Sequence, residues 1–261
     1  MDNPVLKQKP LAVIKIWQNT WEIIRKNWLN LLSIIIFITG LIIAILIILW
    51  VIWQLCIMLN LIQPSYFLTF NLGWTIISFV VFFLLTLLAQ FLIINYLLNP
   101  LIKLRENIGA FFNLFWDWLC LNVILNLALL LFSLPLYVGL FLLLTGNTWL
   151  GIACLLFGAI IILFFSSYLI FSPFILLDKK LSWLESLKKS FLLASGFFRN
   201  ILFKILILVL VLLILNSLST VVLKLQYIGV IISAFILLLM IYLSFAYLFA
   251  IYLDLKKLKN I

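Results

Sequence analysis

The chain has 261 residues, of which 68% are hydrophobic and only 9% are charged. Soluble globular domains are about 45–50% apolar, so this composition excludes a soluble domain and predicts one integral membrane domain over residues 1–261. The formal net charge of +10 does not indicate nucleic-acid binding, because the basic residues flank apolar runs and form no face away from a membrane. Anionic lipid head groups are therefore the expected partner of this charge.

The basic residues lie in four short segments separated by long apolar runs. Sixteen of the 17 fall there, and Lys224 stands apart: Lys7, Lys9, Lys15, Arg25 and Lys26; Lys103 and Arg105; Lys179, Lys180, Lys188, Lys189, Arg199 and Lys204; Lys256, Lys257 and Lys259. Neighbouring segments are separated by enough apolar sequence to cross a bilayer twice, which places all four on one side. Basic segments stay cytoplasmic during insertion. The pattern predicts a multi-pass protein of the cytoplasmic membrane with both termini inside.

Six apolar runs are long enough to cross the ~30 Å hydrocarbon core, which needs about 20 helical residues. In chain order they are Leu29–Trp53, Trp74–Leu98, Trp116–Leu144, Trp149–Leu177, Ile201–Val222 and Tyr227–Leu253. The fold class is therefore all-α, with six transmembrane helices in three hairpins. Pro135 and Pro173 are the expected kink points, while Gly151, Gly158 and Ser166 give the fourth span a face for close helix packing.

Amphipathic helices are expected on the cytoplasmic side, before each hairpin. Their apolar stripes recur at steps of three and four residues: Leu11, Ile14, Trp17, Trp21, Ile24 and Trp28; Leu101, Leu104, Ile108, Phe111 and Phe115; Trp183, Leu184, Leu187 and Phe191. In the third helix, Glu185, Lys188 and Lys189 are expected to face water. Ser182 and Glu185 have the spacing of a capping box at its start. The pattern of an amphipathic helix followed by a hairpin occurs three times. It predicts three repeat units, 8–98, 99–177 and 178–254. Any multi-pass protein with basic loops shows a similar alternation, so this alternative stays open.

The chain carries few groups that could do chemistry. It has no histidine, and its seven acidic residues all lie in the cytoplasmic segments or at span ends. No phosphate-binding loop is present, and Cys56, Cys120 and Cys154 lack metal-ligand spacing. We therefore expect no catalytic residue, cofactor or metal, and no enzyme activity. Pairing of Cys56 with Cys154 stays open, and Lys204 is expected to extend its ammonium group to the cytoplasmic surface.

Two sets of residues are candidates for contacts with other molecules. The expected contacts to anionic lipid are Lys15, Arg25, Lys26, Lys103, Arg105, Lys179, Lys180, Lys188, Lys189 and Arg199. Neutral polar residues share one face of the second span (Thr75, Ser78, Thr86 and Gln90) and one face of the third (Asn122, Asn126 and Ser133). These faces could line a polar path or form interhelical hydrogen bonds, and the second interpretation is favoured because any helix bundle uses such residues in packing.

One stretch has a family resemblance. The segment FSPFILLD, at residues 171–178, is followed by SWLESLKKSF at 182–191 and GFFRN at 196–200. It resembles the membrane-domain family of the glycerophosphoryl diester phosphodiesterases and related six-span bacterial and archaeal proteins, with Ser186 in place of the usual alanine. The resemblance implies architecture only. The family's phosphodiesterase activity belongs to a separate soluble barrel domain, whose catalytic acids and histidine have no counterpart here.

Two functions are consistent with these features. The first is a non-catalytic integral membrane module that interacts with or organises lipids, or that supports a membrane partner. The alternative is a transporter or lipid translocator for an uncharged or amphiphilic substrate, because such transport needs no buried acid. A membrane-protein partner and assembly with a second copy of the chain both stay open.

Overall fold

The computed structural model describes residues 10–58, 67–223 and 226–259. This part of the chain is all-α, as the sequence predicts. Its helices are α1 (Val13–Met58), α2 (Phe67–Leu98), α3 (Leu104–Asn113), α4 (Phe115–Leu144), α5 (Thr148–Leu169), α6 (Ser172–Lys179), α7 (Trp183–Ala194), α8 (Phe198–Val222) and α9 (Gln226–Lys259).

Five segments of the described chain are long and apolar enough to cross a membrane: Trp74–Leu98, Phe115–Leu144, Thr148–Lys179, Phe198–Val222 and Leu239–Lys259. They correspond to the second to sixth predicted spans and make this a multi-pass membrane protein. The first predicted span, Leu29–Trp53, lies within α1, which has 46 residues. At 1.5 Å per residue α1 is about 69 Å long, enough for an amphipathic segment followed by a span. That this first predicted span crosses the membrane stays a prediction.

The fourth predicted span is interrupted near Pro173, as its sequence predicts. α5 ends at Leu169 and α6 begins at Ser172, which places Pro173 in the first turn of α6. Proline is tolerated there, because the first turn of a helix has no intrahelical acceptor for its N–H groups. In contrast, α4 continues through Pro135.

Glycines allow α4 and α5 to pack backbone against backbone. A Cβ atom at Gly139 would lie 2.9 Å from the carbonyl oxygen of Gly151, and one at Gly158 would lie 2.9 Å from the backbone nitrogen of Leu136. The structure confirms the predicted packing role of Gly151 and Gly158, and it adds Gly139 on the facing helix. A tight turn joins the two helices, in which Gly146 has a φ of +88°.

The described chain forms two compact units. The larger contains the described residues up to Lys26 together with those from Leu114 onward, and the smaller contains Asn27–Asn113. These boundaries differ from those of the three predicted repeat units, which stay a prediction. The core of the larger unit lies where α6 meets the end of α9: Phe174 stacks on Phe249 and Tyr252, and all three side chains are buried.

In the smaller unit, a buried amide network holds α3 against the end of α2. Asn95 Nδ2 donates to Asn107 Oδ1 at 2.7 Å, and Asn107 Nδ2 donates to the carbonyl oxygen of Leu92 at 3.1 Å. Phe111 packs edge-on against Phe91 one turn further along α3. The buried face of α3 therefore includes Asn107, whereas Leu101, which we predicted in its apolar stripe, is 97% exposed.

We predict that Gly139→Ala destabilises the protein by about 1–3 kcal/mol, because the added methyl group meets the backbone of α5 rather than a flexible side chain. The control is Gly109→Ala on α3. A Cβ atom there meets nothing within 4 Å, and the higher helix propensity of alanine stabilises by up to about 1 kcal/mol. Unfolding in mixed micelles measures both effects. Equal stabilities for the two variants would contradict the close packing of α4 and α5.

Candidate functional site

A buried ion pair lies in the larger unit, between the first turns of α8 and the last turns of α9. Lys204 Nζ donates to Asp254 Oδ2 at 3.2 Å, and the two side chains are only 1% and 6% exposed. The expectation that Lys204 reaches the membrane surface is therefore wrong. An ammonium group this deeply buried requires a nearby opposite charge, and Asp254, 50 residues later, provides it.

The same carboxylate oxygen holds the beginning of the chain's first helix. The backbone N–H of Leu11 donates to Asp254 Oδ2 at 3.1 Å. The ring of Trp17 lies 4.6 Å from that of Tyr247, and the Tyr247 hydroxyl donates to the carbonyl oxygen of Lys204 at 3.2 Å. The start of α1 is thereby docked on α9, which is itself bonded to α8.

A second carboxylate connects α6 to α9. Asp178 Oδ2 accepts a hydrogen bond from the Tyr252 hydroxyl at 2.8 Å and an ion-paired hydrogen bond from Lys256 Nζ at 2.6 Å. Asp178 and Lys256 are partly exposed, unlike the Lys204–Asp254 pair. We call Asp178, Lys204, Tyr247, Tyr252, Asp254 and Lys256 the α9 cluster, because four of the six belong to that helix.

The amphipathic helix α7 is attached to other helices at both ends. At its start, Asp117 Oδ1 on α4 accepts the Trp183 backbone N–H at 3.2 Å. Ser182 occupies the N-cap position, but its side chain makes no capping hydrogen bond, so the predicted capping box is wrong. At its end, Lys259 Nζ donates to the carbonyl oxygens of Leu192 and Ser195.

One face of each amphipathic helix in the larger unit is buried and carries small polar residues. On α1, Ile16 and Thr20 are fully buried, and on α7 so are Ser186 and Ser190. The Ser190 hydroxyl donates to the carbonyl oxygen of Tyr168 on α5 at 2.6 Å. These residues lie outside the predicted apolar stripes. Their spacing of four, Thr20 after Ile16 and Ser190 after Ser186, is the signal that could have identified them.

The opposite faces of these helices expose apolar and basic residues together. On α1, Ile14 and Trp21 are 73% and 65% exposed, and Arg25 follows Trp21 by one turn. On α7, Leu184, Lys188 and Phe191 are exposed at steps of four and three residues, which places them on one face. We expected Lys188 to lie opposite Leu184 and Phe191, but it lies between them.

The remaining candidates for lipid contact also lie at the surface. Lys15, Lys26, Lys180 and Arg199 are exposed, whereas Lys179 and Lys189 are partly exposed. Lys103 and Arg105 are exposed in the smaller unit. Their contact with lipid stays a prediction.

Most of the predicted polar span residues make hydrogen bonds within their own helices. Each of four side chains donates to a backbone carbonyl oxygen three or four residues earlier: Thr86 to Phe82, Asn122 to Trp118, Asn126 to Asn122, and Ser133 to Leu130. On α2, Thr75 is exposed, and Ser78 and Gln90 are partly exposed. These contacts are intrahelical rather than interhelical, and whether the residues line a path stays open.

The chemistry open to the α9 cluster follows from its depth and composition. Lys204 lies six residues after the first residue of α8, which is about 9 Å along the helix. The ion pair therefore lies near one end of the spans rather than at their centre. Within the described part of the chain, no three His, Cys, Asp or Glu residues are grouped to hold a metal, and the three cysteines are free. The cluster is suited to holding helices in place.

Comparisons of the chain with protein families, with curated proteins and with solved structures gave no match. The resemblance carried by residues 171–200 therefore stays an interpretation of the sequence.

We predict that Lys204→Met destabilises the protein by about 3–5 kcal/mol, because the variant leaves the Asp254 carboxylate buried without its countercharge. The double variant Lys204→Met with Asp254→Leu should recover much of this loss, since it removes both charges. Lys257→Met, at an exposed position on α9, is the matched control and should change stability little. Unfolding in mixed micelles measures all three. A double variant less stable than Lys204→Met would contradict this account of the pair.

Proposed function

We propose that the protein is a non-catalytic membrane module that interacts with anionic lipids through amphipathic helices held at one end of its helix bundle. The observation that supports this most directly is the exposed face of α7, where Lys188 lies between Leu184 and Phe191. Apolar side chains beside a cation suit the boundary between acyl chains and phosphates. The start of α1 repeats the arrangement with Ile14, Trp21 and Arg25.

The attachments of the two helices support a lipid-binding role. An isolated amphipathic helix loses conformational entropy when it binds a membrane. Here α7 is already held by Asp117 and Lys259, and the start of α1 is held by Asp254. Their outward faces are therefore ordered before lipid binds, which lowers the entropic cost of binding.

We also propose six spans with both termini in the cytoplasm. The charge pattern supports this orientation, because the basic residues around α7, at the end of α9 and near the start of α1 all lie at the end that carries the α9 cluster. The same orientation would follow from the resemblance to the phosphodiesterase membrane-domain family.

Transport of an uncharged or amphiphilic substrate is the second candidate. The buried Lys204–Asp254 pair is the observation that favours it, because ionisable pairs inside membrane proteins often lie on transport pathways. If the protein is a transporter, replacing Lys204 or Asp254 should abolish transport even where the variant is as stable as the original protein. A lipid-organising module would instead depend on the exposed cations.

We predict that the triple variant Arg25→Gln, Lys188→Gln and Lys189→Gln loses most of its bound anionic lipid. Each basic residue at a membrane surface contributes roughly 1 kcal/mol to the attraction, or about a fivefold change in affinity. Native mass spectrometry of protein released from phosphatidylglycerol nanodiscs would measure the retained lipid. Lys257→Gln is the control, since Lys257 is exposed but outside the predicted contact set. Unchanged lipid retention in the triple variant would contradict the proposal.

We predict that a cysteine at Lys188 is protected from a membrane-impermeant maleimide in intact cells, whereas one at Thr145, in the exposed turn between α4 and α5, is labelled. The experiment needs a background in which Cys56, Cys120 and Cys154 are replaced by serine. Labelling after cell lysis shows that Lys188→Cys is reactive. The reverse pattern in intact cells would overturn the orientation.

A further inference from the structure

Gln90 lies in the candidate span Trp74–Leu98 and makes no hydrogen bond to any residue that the structure describes. It is four residues from the midpoint of the span Trp74–Leu98, about 6 Å from the centre of a core whose half-thickness is ~15 Å. Its side chain is partly exposed, and among the described residues its carboxamide makes no hydrogen bond. A carboxamide left unbonded in lipid is unfavourable, because the bilayer core supplies neither donors nor acceptors.

The face around Gln90 permits the approach of another helix. Thr86 lies one turn away on the same face, is partly exposed, and satisfies its hydroxyl within α2 through the carbonyl oxygen of Phe82. A small residue beside a glutamine, both directed outward, is typical of helix contacts in membranes. Among the described residues of this face, Gln90 is a polar group near the middle of the span that still requires a partner.

The partner must present both a donor and an acceptor at the depth of Gln90. A second copy of the chain inserted with the same orientation places its own Gln90 at that depth by symmetry. The glutamine carboxamide is self-complementary, because its Nε2 amino group donates and its Oε1 carbonyl oxygen accepts. Across a two-fold axis perpendicular to the membrane, two such side chains would satisfy each other with reciprocal N–H···O bonds.

We propose that the protein forms a homodimer in the membrane through α2, with Gln90 of one copy hydrogen-bonded to Gln90 of the other. This proposal requires α2 to span the membrane and does not rest on the lipid-binding role. Because Gln90→Leu removes two interhelical hydrogen bonds, we expect it to weaken dimerisation by about tenfold.

Disulfide cross-linking of Thr86→Cys in native membranes tests the dimer, with Cys56, Cys120 and Cys154 replaced by serine. Gln90 stays intact in this variant, and Thr86 lies on the same face. We expect a dimer of twice the 30.3 kDa chain mass. Its yield should fall when Gln90→Leu is added and recover in part with Gln90→Asn, whose shorter side chain keeps the carboxamide.

Leu84→Cys is the matched control. Leu84 is two residues from Thr86 on the opposite face of α2 and is 38% exposed, so it should cross-link much less than Thr86→Cys. Equal cross-linking at the two positions would indicate random collision and overturn the proposal. A Thr86→Cys yield that Gln90→Leu leaves unchanged would show that another surface forms the dimer, and it would also overturn the role of Gln90.

Discussion

One carboxylate oxygen, Asp254 Oδ2, connects three parts of the larger unit. It accepts hydrogen bonds from the Lys204 side chain on α8 and from the Leu11 backbone ahead of α1, while its own residue belongs to α9. Neither charge of the pair could remain buried alone, because the desolvation of an ion is offset only by a nearby countercharge and by hydrogen bonds. The hydrogen bond that helps to satisfy the Asp254 carboxylate thus also holds the chain just ahead of α1 against α9.

The positions of the spans could be predicted from the sequence because they depend on local properties. Apolar length defines five candidate spans, and Pro173 indicates the break between α5 and α6, because proline is favoured in the first turn of a helix. Gly151 and Gly158 identified the packing face of α5 because only glycine permits such close backbone approach. The partner glycine of α4, Gly139, could not be identified until the pairing of the two helices was known.

The α9 cluster could not be predicted, because its members are far apart in the chain. The sequence predicted that Lys204 would extend to the membrane surface and that Asp254 would lie at a span end. Only the packing of α8 on α9 brings Lys204 Nζ to within 3.2 Å of Asp254 Oδ2. The predicted capping of α7 was wrong for a similar reason. A local motif suggested that Ser182 would cap the helix, whereas Asp117, more than sixty residues earlier, accepts the Trp183 N–H. Helical periodicity predicted amphipathic helices, but it placed Lys188 opposite Leu184 and Phe191, whereas the three share the exposed face of α7.

The attachment of α7 at both ends has a mechanical consequence. A helix lying on a membrane usually tilts or sinks independently as the packing of the surrounding lipids changes. Here any such displacement must also move Asp117 at the start of α4 and Lys259 at the end of α9, with Ser190 attached to α5 between them. A displacement of α7 would therefore strain its hydrogen bonds to α4, α5 and α9 together.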